Sequence, residues 1–399
     1  MAAAPSRVPL AGLFARYPVL ADWRFVGCVV LIAAVAVAAQ QVSLSTVNNY
    51  VIFRQSFVHL MAGADLYARY PAEHVDLYKY SPTFALFMAP FAALPLWLGV
   101  LLWTVLNALA PLLAVYRLPI SGQAKAFVVL FSLTKLVGAL QNTQSNGLVL
   151  ALMIGVFVAL EARRPVLAAL ATAAGAAIKL FGGAAGILFI FCGGKRRFIV
   201  AGLVAGALLL LAPAPLIGLE ALGGAYKSWF ALLAKDEARS LPSSLVGFLG
   251  KLTGTPITGW WVQGPGLLLL ALPLLRRSTW SDPAWRLLML AHVLVWVIVF
   301  NHQTESPTLV IALVGTALWG IVEPPSRLRT ALLFAVFTLT ALSSTDLFPA
   351  SIRNLAAADG LRILPLVAVE LAILRRLLAR TQGEADQNRS SGEAATKTS

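Results

Sequence analysis

Long unbroken runs of apolar residues constrain the fold of this chain more than any other feature of its sequence. Stretches such as 198–217 and 306–322 reach the roughly 17–25 residues that an α-helix needs to cross a bilayer. Of the 399 residues, 59% are hydrophobic and only 12% are charged, which is about half the charged share of a soluble domain. The sequence therefore predicts an all-α polytopic membrane protein.

Parsing these runs predicts about twelve transmembrane helices in a single transmembrane domain, residues 1–380. The predicted spans are 25–42, 96–117, 126–141, 147–161, 165–179, 182–194, 198–217, 263–275, 286–300, 307–322, 328–345 and 361–378. We predict an amphipathic interfacial helix at 47–62, because its large apolar residues recur at helical spacing. Residues 82–95 are predicted to be re-entrant or to lie on the surface, since another span would break the alternation of sides.

The net charge of +14 comes from Lys and Arg clusters between apolar runs, with no basic helix or aromatic–basic stripe. This pattern argues against a nucleic-acid partner. With a cytoplasmic N-terminus, most of the 31 Lys and Arg residues fall on the inner side, as the positive-inside rule requires. We predict a multi-pass protein of the plasma (inner) membrane with both termini cytoplasmic, ending in a disordered tail, residues 381–399.

This orientation places the polar segments of the chain on one face of the membrane, the outer one. They include two long outer loops, 43–95 and 220–262, and three short segments, 141–146, 301–307 and 346–360. A channel or an alternating-access carrier would gather polar groups near the midplane of the bilayer instead. The distribution therefore predicts a single outward-facing site.

The first outer loop contains basic, acidic and aromatic side chains that suit an interface. Arg54 and Lys79 are candidates for binding an anion, and Tyr80 follows Lys79 directly. Phosphate binding and plain anchoring both stay open for Lys79, since tyrosine-rich segments are also typical of an aromatic belt. Asp65 and Asp76 are the candidate carboxylates of this loop.

A short turn between two apolar runs, 301–308, contains a histidine and a glutamate. At their spacing, His302 and Glu305 can share a proton, which makes them candidates for general base catalysis. The alternative is that Glu305 caps the helix that Pro307 begins and that His302 is an ordinary interface residue. The sequence leaves both interpretations open.

Four amides and a lysine complete the candidate residues. Gln144, Asn146, Asn49 and Asn301 carry amide groups that either bind sugar hydroxyls or satisfy helix ends. Lys179 lies between two short spans, and an intramembrane cation is a functional candidate that can meet a phosphate. Sequence motifs for zinc, ATP or dinucleotide chemistry do not occur, and the two cysteines lack metal-ligand spacing.

Together, these segments resemble glycosyltransferase family 87, polytopic GT-C-type enzymes that include bacterial polyprenyl-phosphate-dependent mannosyltransferases. The matching features, in chain order, are Gly63-x-Asp65-Leu66-Tyr67, Tyr78-Lys79-Tyr80-Ser81-Pro82-x-Phe84, Pro90-Phe91-Ala92-x-Leu94-Pro95, Trp103, Gln141-Asn142-x-Gln144-Ser145-Asn146, Ile178-Lys179-Leu180-Phe181 and the turn from Asn301 to Thr308. Their order over most of the chain is specific for the family and not for a substrate.

The resemblance implies a GT-C-like membrane glycosyltransferase that moves a mannose-like hexose from a polyprenyl-phosphate donor to a lipid or glycan acceptor. Transfer would occur on the outer face, with inversion and without a metal or cofactor. The roles it implies are donor-phosphate binding by Lys79, Lys179, Arg54 and Tyr80, sugar binding by Asn301, Gln144, Asn146 and Asn49, and orientation of the base by His302.

One position departs from the family pattern. Where the family usually carries Asp soon after the first span, this chain has Asn48-Asn49, and an amide cannot accept a proton at neutral pH. Either another carboxylate is the base, in the order of preference Glu305, Asp65, Asp76, or the protein is a catalytically silent member. A transporter or flippase for a lipid-linked sugar is a further alternative, although the polar groups lie on one side and no convincing internal repeat occurs.

Overall fold

The structure is a computed structural model that describes residues 8–237, 240, 241, 243–351, 353 and 360–379. Within these residues the chain consists of helices and connecting segments without a β-strand, which agrees with the all-α prediction. The predicted tail, 381–399, lies outside the described residues.

Most of the helices follow one another through short connections, and residues 62–81 form a long one between α3 and α4. The α-helices are, in chain order, α1 (Ala11–Arg16), α2 (Trp23–Ser43), α3 (Asn48–Met61), α4 (Pro82–Phe87), α5 (Ala89–Ala92), α6 (Leu96–Tyr116), α7 (Gly122–Gln141), α8 (Asn146–Glu161), α9 (Pro165–Ile178), α10 (Lys195–Leu211), α11 (Ala214–Ile217), α12 (Leu219–Glu237), α13 (Leu245–Thr253), α14 (Trp260–Ala271), α15 (Pro283–Val299), α16 (Leu309–Val322), α17 (Arg327–Ala335) and α18 (Leu364–Leu378). Segments of 3-10 helix include Pro18–Ala21, Leu180–Phe191, Leu272–Leu275, Arg277–Thr279, Ser306–Thr308 and Leu342–Ser344, and Val336–Ala341 is a π-helix.

Four helical segments in the described part of the chain are long and apolar enough to cross a membrane. They are Trp23–Ser43, Leu96–Tyr116, Gly122–Gln141 and Lys195–Ile217. Shorter apolar helices of 10–17 residues occupy several of the other predicted spans. The helices therefore support a membrane protein, while the total of about twelve spans stays a prediction.

Helices α15 and α16 form the centre of the bundle. They pack against each other, while α7 packs on α16 and α18 on α15. Every α16 side chain from Leu309 to Ile321 is buried. By contrast, α10 lies at the periphery, where Leu203 and Leu208 are 70% and 66% exposed. A helix whose exposed faces are apolar suits lipid as its solvent.

Two polar pairs connect α15 to its neighbours. At the start of α15, Arg286 binds Glu161 at the end of α8 through two nitrogens, at 2.6 and 3.0 Å; this two-point geometry strengthens an ion pair. In the middle of the helix, His292 Nδ1 lies 2.8 Å from Glu370 Oε1 of α18, and both side chains are almost fully buried. These pairs fix the centre of the bundle.

Residues 43–95, predicted as the first outer loop, contain a helix where the interfacial helix is predicted. Helix α3 corresponds to the predicted segment 47–62 and buries Tyr50 and Phe53 on its inner face. Residues 82–95 contain the two short helices α4 and α5. The segment 220–262, predicted as a loop, is largely helical because α12 and α13 lie within it.

Helix α9 and the 3-10 helix Leu180–Phe191 form a tight hairpin whose turn is Lys179. The two helices are so close that a Cβ atom on Gly182 would lie 2.5 Å from the carbonyl oxygen of Gly175. Small residues permit this backbone approach between membrane helices. The hairpin therefore fixes the position of the lysine at its turn.

We expect Gly182→Ala to destabilise the protein by about 1–3 kcal/mol, because overpacking a close contact costs that much. The measurement is the thermal unfolding midpoint of the purified protein in detergent. Gly155→Ala in α8 is the matched control, since a Cβ there meets nothing within 4 Å and alanine favours a helix. Equal midpoints for the two variants would contradict the close-packed hairpin.

Candidate functional site

A cavity of about 510 Å³ lies between the first outer loop, the Lys179 turn, helices α12, α14 and α15, and the 301–308 turn. Its polar lining residues are Asn49, Asp76, Lys79, Tyr80, Gln144, Lys179, Gln263, Asn301, His302, Gln303, Glu305 and Thr308. Most of the site residues predicted from the sequence are among them. Asp65, Arg54 and Asn146 do not line this cavity.

The Tyr78–Pro82 motif fixes the first outer loop against the Lys179 turn. Ser81 is the N-cap of α4, and its hydroxyl donates to the carbonyl oxygen of Ala177 in the last turn of α9. The buried Tyr78 hydroxyl donates to the Ser81 carbonyl oxygen at 2.7 Å. These bonds bring Tyr80 beside Lys179, whose Nζ lies 5.5 Å from the centre of the Tyr80 ring, a cation–π distance.

Tyr80 presents a neutral hydroxyl to the cavity. Desolvation raises the pKa of Tyr80 above its ordinary value, so the hydroxyl stays protonated at neutral pH. The ring stacks on Phe84 with 4.7 Å between centroids, and Ser145 Oγ lies 3.4 Å from the hydroxyl. Tyr80 therefore offers a hydrogen-bond donor and a ring face beside an ammonium group, and not a base.

A hydrogen-bond network joins the 301–308 turn to the Lys179 turn. Gln144 Nε2 donates to Glu305 Oε2 at 2.8 Å, while Gln144 Oε1 accepts from Lys179 Nζ at 3.1 Å. Lys179 also donates to Oδ1 of the fully buried Asn146 at 2.7 Å. The single amide of Gln144 thus holds a carboxylate on one side and an ammonium on the other.

The Glu305 carboxylate faces the cavity and not the helix that follows it. Glu305 precedes the 3-10 turn Ser306–Thr308, but its side chain makes no capping hydrogen bond and binds Gln144 instead. The backbone of the turn is held by Thr308, whose hydroxyl donates to the Glu305 carbonyl oxygen at 2.6 Å. The sequence left open whether Glu305 is a candidate base or caps the following helix, and its side chain does not make the capping contact.

His302 lines the same cavity and is held by another amide. Its Nδ1 lies 2.8 Å from Nε2 of Gln263 in α14. The amide nitrogen can donate to Nδ1 in the tautomer that carries the ring proton on Nε2. His302 and Glu305 are thus anchored by different glutamines, and proton sharing between them stays a prediction.

Asn48 and Asn49 lie where the resemblance leads one to expect Asp. Asn49 lines the cavity, and its Nδ2 donates to the Asn142 carbonyl oxygen at 2.8 Å. Asn48 Oδ1 accepts from the Val75 backbone N–H at 2.9 Å. A carboxylate at position 49 could not donate to that carbonyl. The asparagine therefore fits its local partner, and the carboxylates that line the cavity are Asp76 and Glu305.

Three of the predicted residues make contacts with the backbone. Asp76 lines the cavity, but its Oδ1 accepts from the next backbone N–H at 2.7 Å. Exposed Asp65 accepts from the Tyr67 N–H at 3.1 Å, which is an Asx-turn contact. Arg54 Nη2 lies 3.4 Å from a carbonyl oxygen of α5. The turn contact accounts for Asp65 without a ligand. Arg54 instead reaches across to α5, and its buried Nε has no hydrogen-bond partner among the described residues.

The rest of the cavity lining includes an apolar and aromatic wall, which the sequence did not predict. Trp229 and Leu233 come from α12, Trp260 and Leu267 from α14, and Trp296 from α15. Trp260 is 65% exposed. Such a wall beside lysines suits an amphiphile with an apolar tail and an anionic head. The amphipathic pattern of α12, in a segment with several charged residues, is the signal that could have indicated it.

Comparison with protein-family models gives a match to glycosyltransferase family 87 over residues 78–344. The match begins at the Tyr78–Pro82 motif and includes Gln144, Lys179 and Glu305. It covers 267 of the 399 residues. Comparison with curated proteins gives no match.

Proposed function

The chain belongs to glycosyltransferase family 87, and on this basis we propose that it transfers a mannose-like hexose from a polyprenyl-phosphate donor. Family membership implies a membrane glycosyltransferase, and the long apolar helices agree with it. We further propose a lipid or glycan acceptor on the outer face of the plasma membrane, with both chain termini on the cytoplasmic side.

The Gln144 bridge between Glu305 and Lys179 is the observation that supports this function most. Transfer of a sugar from a lipid phosphate requires a base for the acceptor hydroxyl and a cation for the phosphate that leaves. The bridge holds one of each in a single cavity. No other carboxylate among the cavity's lining residues is connected to a lysine by a side-chain amide.

The donor lies across the cavity with its phosphate at Lys179. Lys79, in the same lining, is the second cation, and the Tyr80 hydroxyl is a neutral donor to a phosphate oxygen. The polyprenyl chain follows the wall of Trp229 and Trp260, because contact with apolar and aromatic side chains removes the lipid tail from water.

Glu305 acts as the general base. It takes the proton of the acceptor hydroxyl as that oxygen attacks C1 of the hexose. The bond between C1 and the phosphate oxygen breaks, polyprenyl phosphate leaves with the electron pair, and the configuration at C1 inverts. Lys179 stabilises the charge on the leaving phosphate, while Asn301 and Asn49 bind sugar hydroxyls.

The contact of Asn49 supports a second candidate function, a catalytically silent member that binds a lipid-linked sugar. The Asn49 amide donates to the Asn142 carbonyl oxygen, so this position is built around a group that cannot act as a base. Such a protein would bind the donor without turning it over.

Incubation of the purified protein with radiolabelled polyprenyl-phosphate mannose and membrane lipids tests the proposal. We expect a labelled product whose anomeric configuration is opposite to that of the donor, and none from a nucleotide-activated mannose. Donor binding without product would favour the silent member. Neither binding nor product, over a series of polyprenyl-phosphate sugars, would overturn both.

A further inference from the structure

A second cavity, of about 290 Å³, lies where three candidate membrane spans end. Helix α2 begins there, α6 ends there, and α7 begins there. Its lining includes Trp23 and Val26 of α2, Leu112 and Tyr116 of α6, and Lys125 and Val129 of α7. None of its lining residues belongs to the first cavity.

A row of cations and aromatic rings forms the exposed edge of this second cavity. The Arg24 guanidinium carbon lies 5.9 Å from the Trp23 ring, and the Trp23 and Tyr116 ring centroids are 5.5 Å apart. Lys125 Nζ lies 4.7 Å from the Tyr116 ring. Trp23 and Tyr116 are 56% and 41% exposed, so the row faces outward from the bundle.

The charge at this edge is positive. Arg117 follows Tyr116 directly and adds a third cation to Arg24 and Lys125. The neighbouring carboxylate, Asp22, caps α2 by accepting from a backbone N–H at 2.7 Å. A row of cations and interfacial aromatic rings at the ends of membrane spans is the setting in which lipid phosphates bind.

We propose that the second cavity binds one anionic phospholipid. Its phosphate lies at Lys125 and Arg24, and an acyl chain lies along Val26, Leu112 and Val129. A lipid suits the cavity better than a free phosphate ion, because the inner lining is apolar and offers a polar ion no hydrogen bonds. The cationic edge favours an anionic lipid over a zwitterionic one. This site does not depend on the transferase activity proposed above.

Native mass spectrometry of the full-length protein in detergent tests this site, by titration with palmitoyl-oleoyl phosphatidylglycerol and with phosphatidylcholine of the same chains. We expect the first phosphatidylglycerol to bind at least fivefold more tightly than phosphatidylcholine. Glycerol 3-phosphate at equal concentration should not displace it. Equal affinities for the two lipids, or displacement by glycerol 3-phosphate, would overturn the proposal.

Two variants and a matched control assign the lipid to this cavity. Lys125→Gln is expected to lower the affinity for phosphatidylglycerol about tenfold, the loss of one charge-assisted contact. Arg24→Gln, at an exposed position that leaves the packing intact, is expected to lower it about threefold to tenfold. Lys195→Gln is the control, because Lys195 Nζ lies 5.1 Å from the Trp280 ring, a similar cation–π pair outside the cavity.

A third variant tests the acyl-chain groove. Ala126→Phe fills the cavity that Ala126 lines and leaves every cation in place, so it should weaken phosphatidylglycerol and phosphatidylcholine alike. If Lys195→Gln and Lys125→Gln lost the same affinity for phosphatidylglycerol, the lipid would be attracted by the overall surface charge, and this result would refute the site. Unchanged affinity in both Arg24→Gln and Ala126→Phe would refute it as well.

Discussion

Replacing Glu305 by glutamine is expected to lower kcat for sugar transfer by about 100-fold to 10,000-fold, the contribution of a positioned general base. The new amide retains an oxygen that accepts from Gln144 Nε2, where Glu305 Oε2 now accepts at 2.8 Å. The network therefore persists while the ability to accept a proton is lost. The measurement is kcat with polyprenyl-phosphate mannose, together with the unfolding midpoint of the variant.

Asp65→Asn and Asp76→Asn are the matched controls for Glu305→Gln. Each keeps the side-chain oxygen that now accepts a backbone N–H, so neither variant should unfold the first outer loop. We expect Asp65→Asn to stay within about twofold of the wild type, because Asp65 lies outside the cavity. If the kcat of Glu305→Gln were as high as that of both controls, Glu305 would not be the general base.

Replacing Lys179 by methionine is expected to lower kcat/KM for the polyprenyl-phosphate donor about 10-fold to 150-fold. Loss of a charge-assisted contact to phosphate costs about 1.5–3 kcal/mol, and 1.4 kcal/mol is a factor of ten. The variant also leaves oxygens of Gln144 and Asn146 without the ammonium that now donates to them at 3.1 and 2.7 Å. The measurement is the initial rate as a function of donor concentration.

Lys227→Met is the control for Lys179→Met, because Lys227 is an exposed lysine of the neighbouring α12 outside the cavity lining. It removes the same charge from the protein, and we expect kcat/KM within about twofold of the wild type. If both variants lost activity to the same degree, the effect would be one of overall charge. If Lys179→Met stayed within about threefold of the wild type, the phosphate would lie elsewhere.

The residues of the network were predictable from the sequence, but their connection was not. Lys179 stands out as a cation between two apolar runs, and Glu305 as a carboxylate in a short turn. Gln144 carries no charge, and it lies 161 residues from Glu305 and 35 from Lys179 in the chain. A pairing over that distance depends on how the helices pack, which periodicity does not determine.

The aromatic wall and the local contacts of Asp65 were not predictable for a different reason. The sequence predicts 220–262 as an outer loop, yet α12 lies in this segment and contributes Trp229 and Leu233 to the cavity lining. Asp65 has the same side chain as a catalytic aspartate, and only its contact with the Tyr67 N–H distinguishes a turn residue from a base. The burial of a side chain and the direction in which it points decide its role, and residue type determines neither.

Photocrosslinking with a diazirine-bearing polyprenyl phosphate tests most directly that the 510 Å³ cavity is the donor site. Labelled peptides from the active protein are mapped with and without excess unlabelled polyprenyl phosphate. We predict competed labelling of the segments around Trp229, Trp260 and Trp296, and its loss in Lys179→Met but not in Lys227→Met. Competed labelling confined to helices that do not line this cavity, in protein that transfers sugar, would contradict the account.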